Sequence, residues 1–151
     1  MTQQLDELHL GAWRGFITTH SRLITVIDKQ LEAEGCVPLN WYDVLIELKE
    51  APQQRLRMAE LANKVVLSRS GLTRLIDKME TAGLLTRETT PEDGRGAYAV
   101  LTDVGYNALR KAWPVYAQAI QEVFANYLTE EEAKMLTTVF ERILQGQIQH
   151  S

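Results

Sequence analysis

Hydroxyls, amides' natural partners, and cations recur at helical spacing between residues 68 and 78: Ser68, Arg69, Ser70, Thr73, Arg74, Asp77 and Lys78. On a helix, Ser70, Thr73, Arg74 and Asp77 fall on one face, with Arg69 on the flank of the first turn. The opposite face carries Leu72, Leu75, Ile76 and Met79. Side chains of the first kind exchange hydrogen bonds with base edges, and the cations neutralise phosphate. A buried stripe backed by such a face is what a helix lying in a DNA major groove requires. The expectation is that Ser70, Thr73, Arg74 and Asp77 face bases and that Arg69 meets phosphate or a flanking base. An ordinary amphipathic surface helix would show the same stripe, so the neighbouring elements must decide.

Those neighbours favour the groove reader. Met58, Leu61, Ala62 and Val65 line one face of a short helix over 58–65, and Val66-Leu67 makes a tight turn. Ser68 is a good N-cap for the next helix, which runs to about Ala82 and stops at Gly83. Leu84 to Thr89 and Ala97 to Leu101 alternate as paired strands do, with Pro91 and Gly94 suiting the bend between them. At the hairpin tip, Arg95 can enter the minor groove, where narrow A·T-rich tracts concentrate negative potential. Asp93 makes little sense as a phosphate contact, and good sense as a carboxylate that orients a neighbouring arginine. The bland alternative is a solvated tip with an incidental ion pair.

Composition permits this. At 45% hydrophobic and 24% charged, the 151-residue chain reads as an ordinary soluble protein. The net charge of -4 looks wrong for a nucleic-acid binder until it is divided. Residues 55 to 95 hold eight basic and six acidic groups, a balance of +2, which leaves -6 elsewhere. Phosphate binding depends on local charge at the contacting face. No apolar run approaches a membrane span, no leader suggests export, and the lone Cys36 suits a reducing cytoplasm. A cytoplasmic, nucleoid-associated protein is expected.

Helices flank the central unit. Leu5, Leu8, Ala12, Phe16, Leu23, Ile27 and Leu31 recur at three- and four-residue steps, which predicts one helix ending near Gly35 and roughly 40 Å long. Asn40 is expected to cap a second helix carrying Trp41, Val44, Leu45 and Leu48, which Pro52 ends. A long helix follows from Asp103 to about Tyr127, with a kink expected at Pro114. Thr129 and Glu132 form a capping box for a last helix bearing Met135, Leu136, Val139, Phe140, Ile143 and Leu144. The terminal helices have no use in a groove, yet their stripes must be buried. Pairing of two chains through them is the economical solution, and a twofold dimer predicts a palindromic DNA site with half-sites about 34 Å apart. A monomer that folds these helices back on itself is the alternative.

The motifs Leu56-Arg57-Met58-Ala59-Glu60-Leu61-Ala62, Leu67 through Glu80, Gly83-Leu84-Leu85-Thr86-Arg87, Asp93-Gly94-Arg95-Gly96 and Leu101-Thr102-Asp103-Val104-Gly105 resemble the MarR (multiple antibiotic resistance regulator) family. The resemblance covers nearly the whole chain and is most specific in the central block. It implies a mainly α fold with a small β wing: a winged helix-turn-helix lobe with long N- and C-terminal dimerisation helices. It also implies a homodimeric transcription factor on double-stranded DNA, often a repressor, and many members lose DNA affinity when a small aromatic acid or an oxidant acts on them. It points to Asp93 as the partner of a wing arginine as well. One departure is Met58, which stands where Ser, Thr or Asp would cap the first short helix better. The division expected is 1–37 for the first dimerisation helix, 38–101 for the DNA-binding lobe and 102–151 for the last helices.

Other chemistry is thinner. Cys36, in the loop after the first helix, does not match the family's oxidant-sensing position within that helix, and a buried inert thiol is expected. His9 and His20 lie eleven residues apart, too far to share a metal, and neither a Gly-rich phosphate loop nor a nucleophile motif is present. No enzyme activity and no cofactor are expected. In the family a ligand cleft lies where dimer helices meet the winged lobe. Trp13, Phe16, His20 and Trp41 are candidates to line it, with Arg57 or Arg14 receiving a carboxylate from a small aromatic effector. Aromatics at this spacing also serve as core or dimer interface. A winged-helix module that binds protein and reads no bases is the competing function, but it would not need Arg69, Arg74 and Arg95.

Overall fold

A computed structural model of the chain describes residues 2–65, 69–89 and 96–148. The side chains of Arg69 and Ser70 also lie outside the description. Two compact units are present, Met1–Tyr116 and Ala117–Ser151. The chain runs through α1 (Glu7–Ala33), α2 (Leu39–Glu50), β1 (Arg55–Arg57), α3 (Met58–Lys64), α4 (Arg69–Thr81), β2 (Leu85–Thr89), β3 (Ala97–Leu101), α5 (Asp103–Val123) and α6 (Glu130–Ile148). This is a mainly helical winged helix-turn-helix fold, and among the described residues the strands form an antiparallel sheet in the order β1-β3-β2.

The core of the first unit comes from the stripes visible in the sequence. Val44, Leu45 and Leu48 of α2, Leu61 of α3, and Leu72, Ile76 and Met79 of α4 are buried, together with Leu85 and Ala99 of the sheet. The long stripe of α1 divides. Its C-terminal residues Ile27 and Leu31 join the core, while Leu8, Trp13, Phe16 and Ile17 remain exposed. At 27 residues the helix has the expected length, and the side chain of Asp6 caps its start by accepting from the His9 amide at 2.7 Å.

Three local expectations need correction. Asn40 does not cap α2: the helix begins at Leu39, after Pro38, and the Leu39 amide donates to Asp28 Oδ1 of α1 at 2.8 Å. An acid eleven residues upstream fulfils the capping role, and Asn40 lies inside the first turn. The strand β1 was not anticipated, because three residues are too few to show alternation. Its Leu56 pairs with Ala99 of β3. The chain reaches it through a turn at Pro52–Gln54 in which Gln53 and Gln54 both have positive φ, 57° and 54°. Finally, α5 ends at Val123, and Ala125–Tyr127 form a separate 3-10 turn. The helix is continuous across Pro114.

Caps hold the remaining boundaries. Met58 supplies no cap to α3, but Glu60 compensates by accepting from the Arg57 amide at 3.1 Å. Thr102 donates to the Gly83 carbonyl at 2.6 Å and accepts from the Gly105 amide at 3.1 Å. It therefore starts α5 and fastens it to the end of α4 at once. The capping box of α6 has the expected form, with Glu132 N donating to Thr129 Oγ1 at 3.2 Å and Thr129 N donating to Glu132 Oε1 at 3.0 Å. The Thr129 amide, and after it the Thr129 side chain, hold the Glu132 carboxyl below its ordinary pKa. Among the described residues no helix is long and apolar enough to cross a membrane.

Candidate nucleic-acid interface

The exposed face of α4 is the site's foundation. Leu72, Leu75, Ile76 and Met79 are between 0 and 6% exposed, which fixes the helix's rotation. Thr73, Arg74, Asp77 and Lys78 consequently stand on the solvent side. Ser68 and its capping role lie outside the described residues, and so do the wing-tip residues Asp93 and Arg95.

Gly83 turns the chain out of α4. Its φ of +82° suits the left-handed C-cap, with Gly83 N donating to Glu80 O at 2.9 Å and Leu84 N to Met79 O at 3.0 Å. The strand β2 then runs back beside the helix. Leu85 pairs with Leu101 and Arg87 with Ala99, so Arg87 lies on the sheet face that carries those buried partners. From there it meets α4. Arg87 Nη2 stands 2.5 Å from Asp77 Oδ1 and 2.9 Å from Glu80 Oε1, and the Arg87 amide donates to Glu80 Oε2 at 2.8 Å. The hydrogen bonds from Arg87 hold the Glu80 carboxyl below the usual carboxylate range, and those to Glu80 and Asp77 raise the Arg87 guanidinium.

The other sheet face has its own cationic group. Arg55 and Arg57 of β1 place their guanidinium carbons 4.1 and 4.7 Å from the ring centre of Tyr98 on β3. Arg55 also pairs with Glu88 of β2 at 3.4 Å. Arg57, a candidate for a ligand carboxylate, is thus half-buried against an aromatic ring of the sheet.

The remaining candidates for a ligand cleft lie on the first two helices. Trp13, Phe16 and His20 form a row along α1, with ring centres 6.1 and 6.4 Å apart, and all three are exposed. Trp41 is half-buried on α2. A second aromatic group was not anticipated: Tyr42 of α2 meets Tyr116 of α5 edge-on at 4.9 Å, and Trp113 stands 6.0 Å from Tyr116. Cys36 is half-buried, not buried as expected, with its sulfur 3.9 Å from the carbonyl oxygens of Glu34 and Lys111. Among the described residues no group of three His, Cys, Asp or Glu side chains is placed to hold a metal ion.

Comparison with known proteins settles the family. The HTH-type transcriptional regulator MhqR of Bacillus subtilis is 30% identical over 143 residues, which cover 95% of this chain and 93% of MhqR. The sequence profile of the MarR family matches residues 37–96, from the loop before α2 to the residue before β3. The chain belongs to the MarR family. Another regulator of Bacillus subtilis, YkoM, is 32% identical over 80 residues, and that match spans about half of each chain, 53% of this one and 52% of YkoM. Two MarR family structures from Streptomyces coelicolor superpose closely. One, solved in complex with DNA, is 33% identical with a TM-score of 0.86, covering 97% of this chain and 91% of its own. The other, AbsC, is 31% identical with a TM-score of 0.84, covering 97% and 98%.

Proposed function

We propose that this MarR family chain is a homodimeric, sequence-specific regulator of transcription that reads a palindromic operator, α4 entering the major groove and the wing the minor groove. The observation that carries the reading is the division of α4 into a buried apolar face and an exposed face bearing Thr73, Arg74, Asp77 and Lys78. A DNA complex of a similar Streptomyces coelicolor regulator supports it. Within this reading Arg69, Ser70, Thr73 and Arg74 contact bases or flanking phosphate, Lys78 adds a cation, and Asp93 orients Arg95 at the wing tip.

Dimerisation is supported by apolar surface that each unit leaves open. On α1 of the first unit, Leu8, Trp13, Phe16 and Ile17 are 45 to 81% exposed. On α6 of the second, Met135, Phe140, Ile143, Leu144 and Ile148 are 37 to 66% exposed. Large apolar side chains left exposed along one helix suit an interaction surface. A regulator of this kind most simply represses by occupying its operator, and a small aromatic effector, received near Trp13, Phe16, His20, Trp41 and Arg57, would release it.

Selection of binding sites from random duplexes, followed by sedimentation of the protein with the selected DNA, tests the whole reading. A palindromic consensus bound by two chains is expected. Binding without base preference, or by a single chain, would refute it.

A further inference from the structure

The sequence shows Asp77 on the groove face and leaves Glu80 and Arg87 without a role. The fold gives them one. Arg87 is the only basic residue of β2, and its guanidinium is shared between two carboxylates one helical turn apart on α4. Its main-chain amide is engaged as well, by the second oxygen of Glu80. Side chain and backbone of one strand residue are therefore both tied to one helix. Asp77 is 51% exposed and Glu80 35%, so the group sits at the rim of the lobe and not in its core.

The position matters because β2 is the strand by which the wing departs from the lobe. From Arg87 to the wing arginine is eight residues, and from Asp77 back to Arg74 is one helical turn. We propose that Arg87 is a positioning residue for DNA reading: by holding Asp77 and Glu80 it sets the root of the wing against α4, so that helix and wing meet the duplex as one unit. The inference rests on the DNA-reading function proposed above. A wing free to swing on its own would lose conformational freedom on binding, at a cost in affinity that a pre-set wing avoids.

Exposed ion pairs usually contribute little to stability, so the experiment must separate positioning from charge and from folding. The double variant Glu80→Gln/Arg87→Gln does so, because it removes one charge of each sign, leaves net charge unaltered and keeps Asp77. Fluorescence anisotropy would compare it with wild type on the selected operator and on a scrambled duplex, over a salt series. Thermal melting would establish that both are folded. The expected result is a loss of about tenfold or more on the operator with scrambled-duplex affinity within about twofold, because only register-dependent contacts are lost. In the same variant, Arg95→Ala should cost less than it does in wild type, as the wing no longer arrives in register. Arg87→Lys, which keeps the charge but not the forked geometry, should fall between the two. Operator affinity within about twofold of wild type in the double variant would overturn the inference, and so would an equal loss on both duplexes. A wild-type protein that selects no sequence at all would instead refute the DNA-reading function on which the inference rests.

Discussion

Gly105 stands against Leu84 so closely that no other residue fits its place. A Cβ on Gly105 would collide with the Leu84 carbonyl oxygen and come within 2.8 Å of Leu101 Cδ1. The first turn of α5 thereby packs directly on the junction between α4 and β2, where Thr102 also bonds to Gly83. Since the obstacle is backbone, it cannot rotate away. Gly105→Ala should destabilise the fold by about 1–3 kcal/mol, the usual cost of forcing atoms into a filled site. Urea denaturation would read this as a lowered midpoint, and an unchanged midpoint would show that the junction opens without cost.

Arg74 should act on sequence preference and not merely on affinity. Arg74→Ala should cost roughly 1–3 kcal/mol and relax the preference at one position in each half-site. Site selection with the variant checks this. Weaker binding with an unaltered consensus would assign Arg74 to phosphate.

On α6, Ile143 is 51% exposed, so replacing it disturbs the packing of a single chain less than replacing a buried residue would. Ile143→Glu should convert dimers to monomers if that helix pairs with a second copy, since a charge would then be buried without a partner. Sedimentation at micromolar concentration distinguishes the two species. A dimer that survives the substitution would place the interface elsewhere.

The carboxyl of Glu80 supplies a pH test. Hydrogen bonds from the Arg87 side chain and amide lower its pKa below the ordinary glutamate value. The stability it contributes is fully present above that value and disappears as pH falls through the lowered, folded-state pKa. Carboxyl carbon shifts followed by NMR should titrate at lower pH in wild type than in Arg87→Gln. Identical titrations in both proteins would mean that the pair does not persist in solution.

Arg95 and Asp93 should prove coupled. Arg95→Ala should weaken DNA binding and reduce the slope of log K against log salt by roughly 0.9 for each lost phosphate contact. Asp93→Ala should produce part of the same loss while Arg95 is present and almost none once it is gone. Anisotropy on the single and double variants measures the coupling, and additive losses would separate the two residues.

How far the sequence foretold this molecule depended on how local each signal was. The stripe Leu72, Leu75, Ile76 and Met79 announces α4 because helical burial repeats every three or four residues, and Gly83 announces its end. The box at Thr129 and Glu132 is legible for the same reason: its partners are three residues apart. Asp28 was not legible as the cap of α2, since it acts from another helix, and nearby Asn40 had the more favourable chemistry. Arg87 finds Asp77 and Glu80 only after the chain has turned at Gly83, so the partners lie on different elements and no single helix or strand period links them. β1 is recognisable only through Ala99 and its neighbours on β3, which give it partners.

The order of the three strands has a bearing on solubility. β3 lies between β1 and β2, so the sheet's two borders belong to its outer strands. β1 is three residues long, and Arg55 and Arg57 flank its lone apolar residue, Leu56. The other border, β2, places Arg87 and Glu88 at its centre. Short, charged borders give an incoming strand little to add to. A molecule with so much apolar helix surface is thereby guarded against joining sheets edge to edge into aggregates.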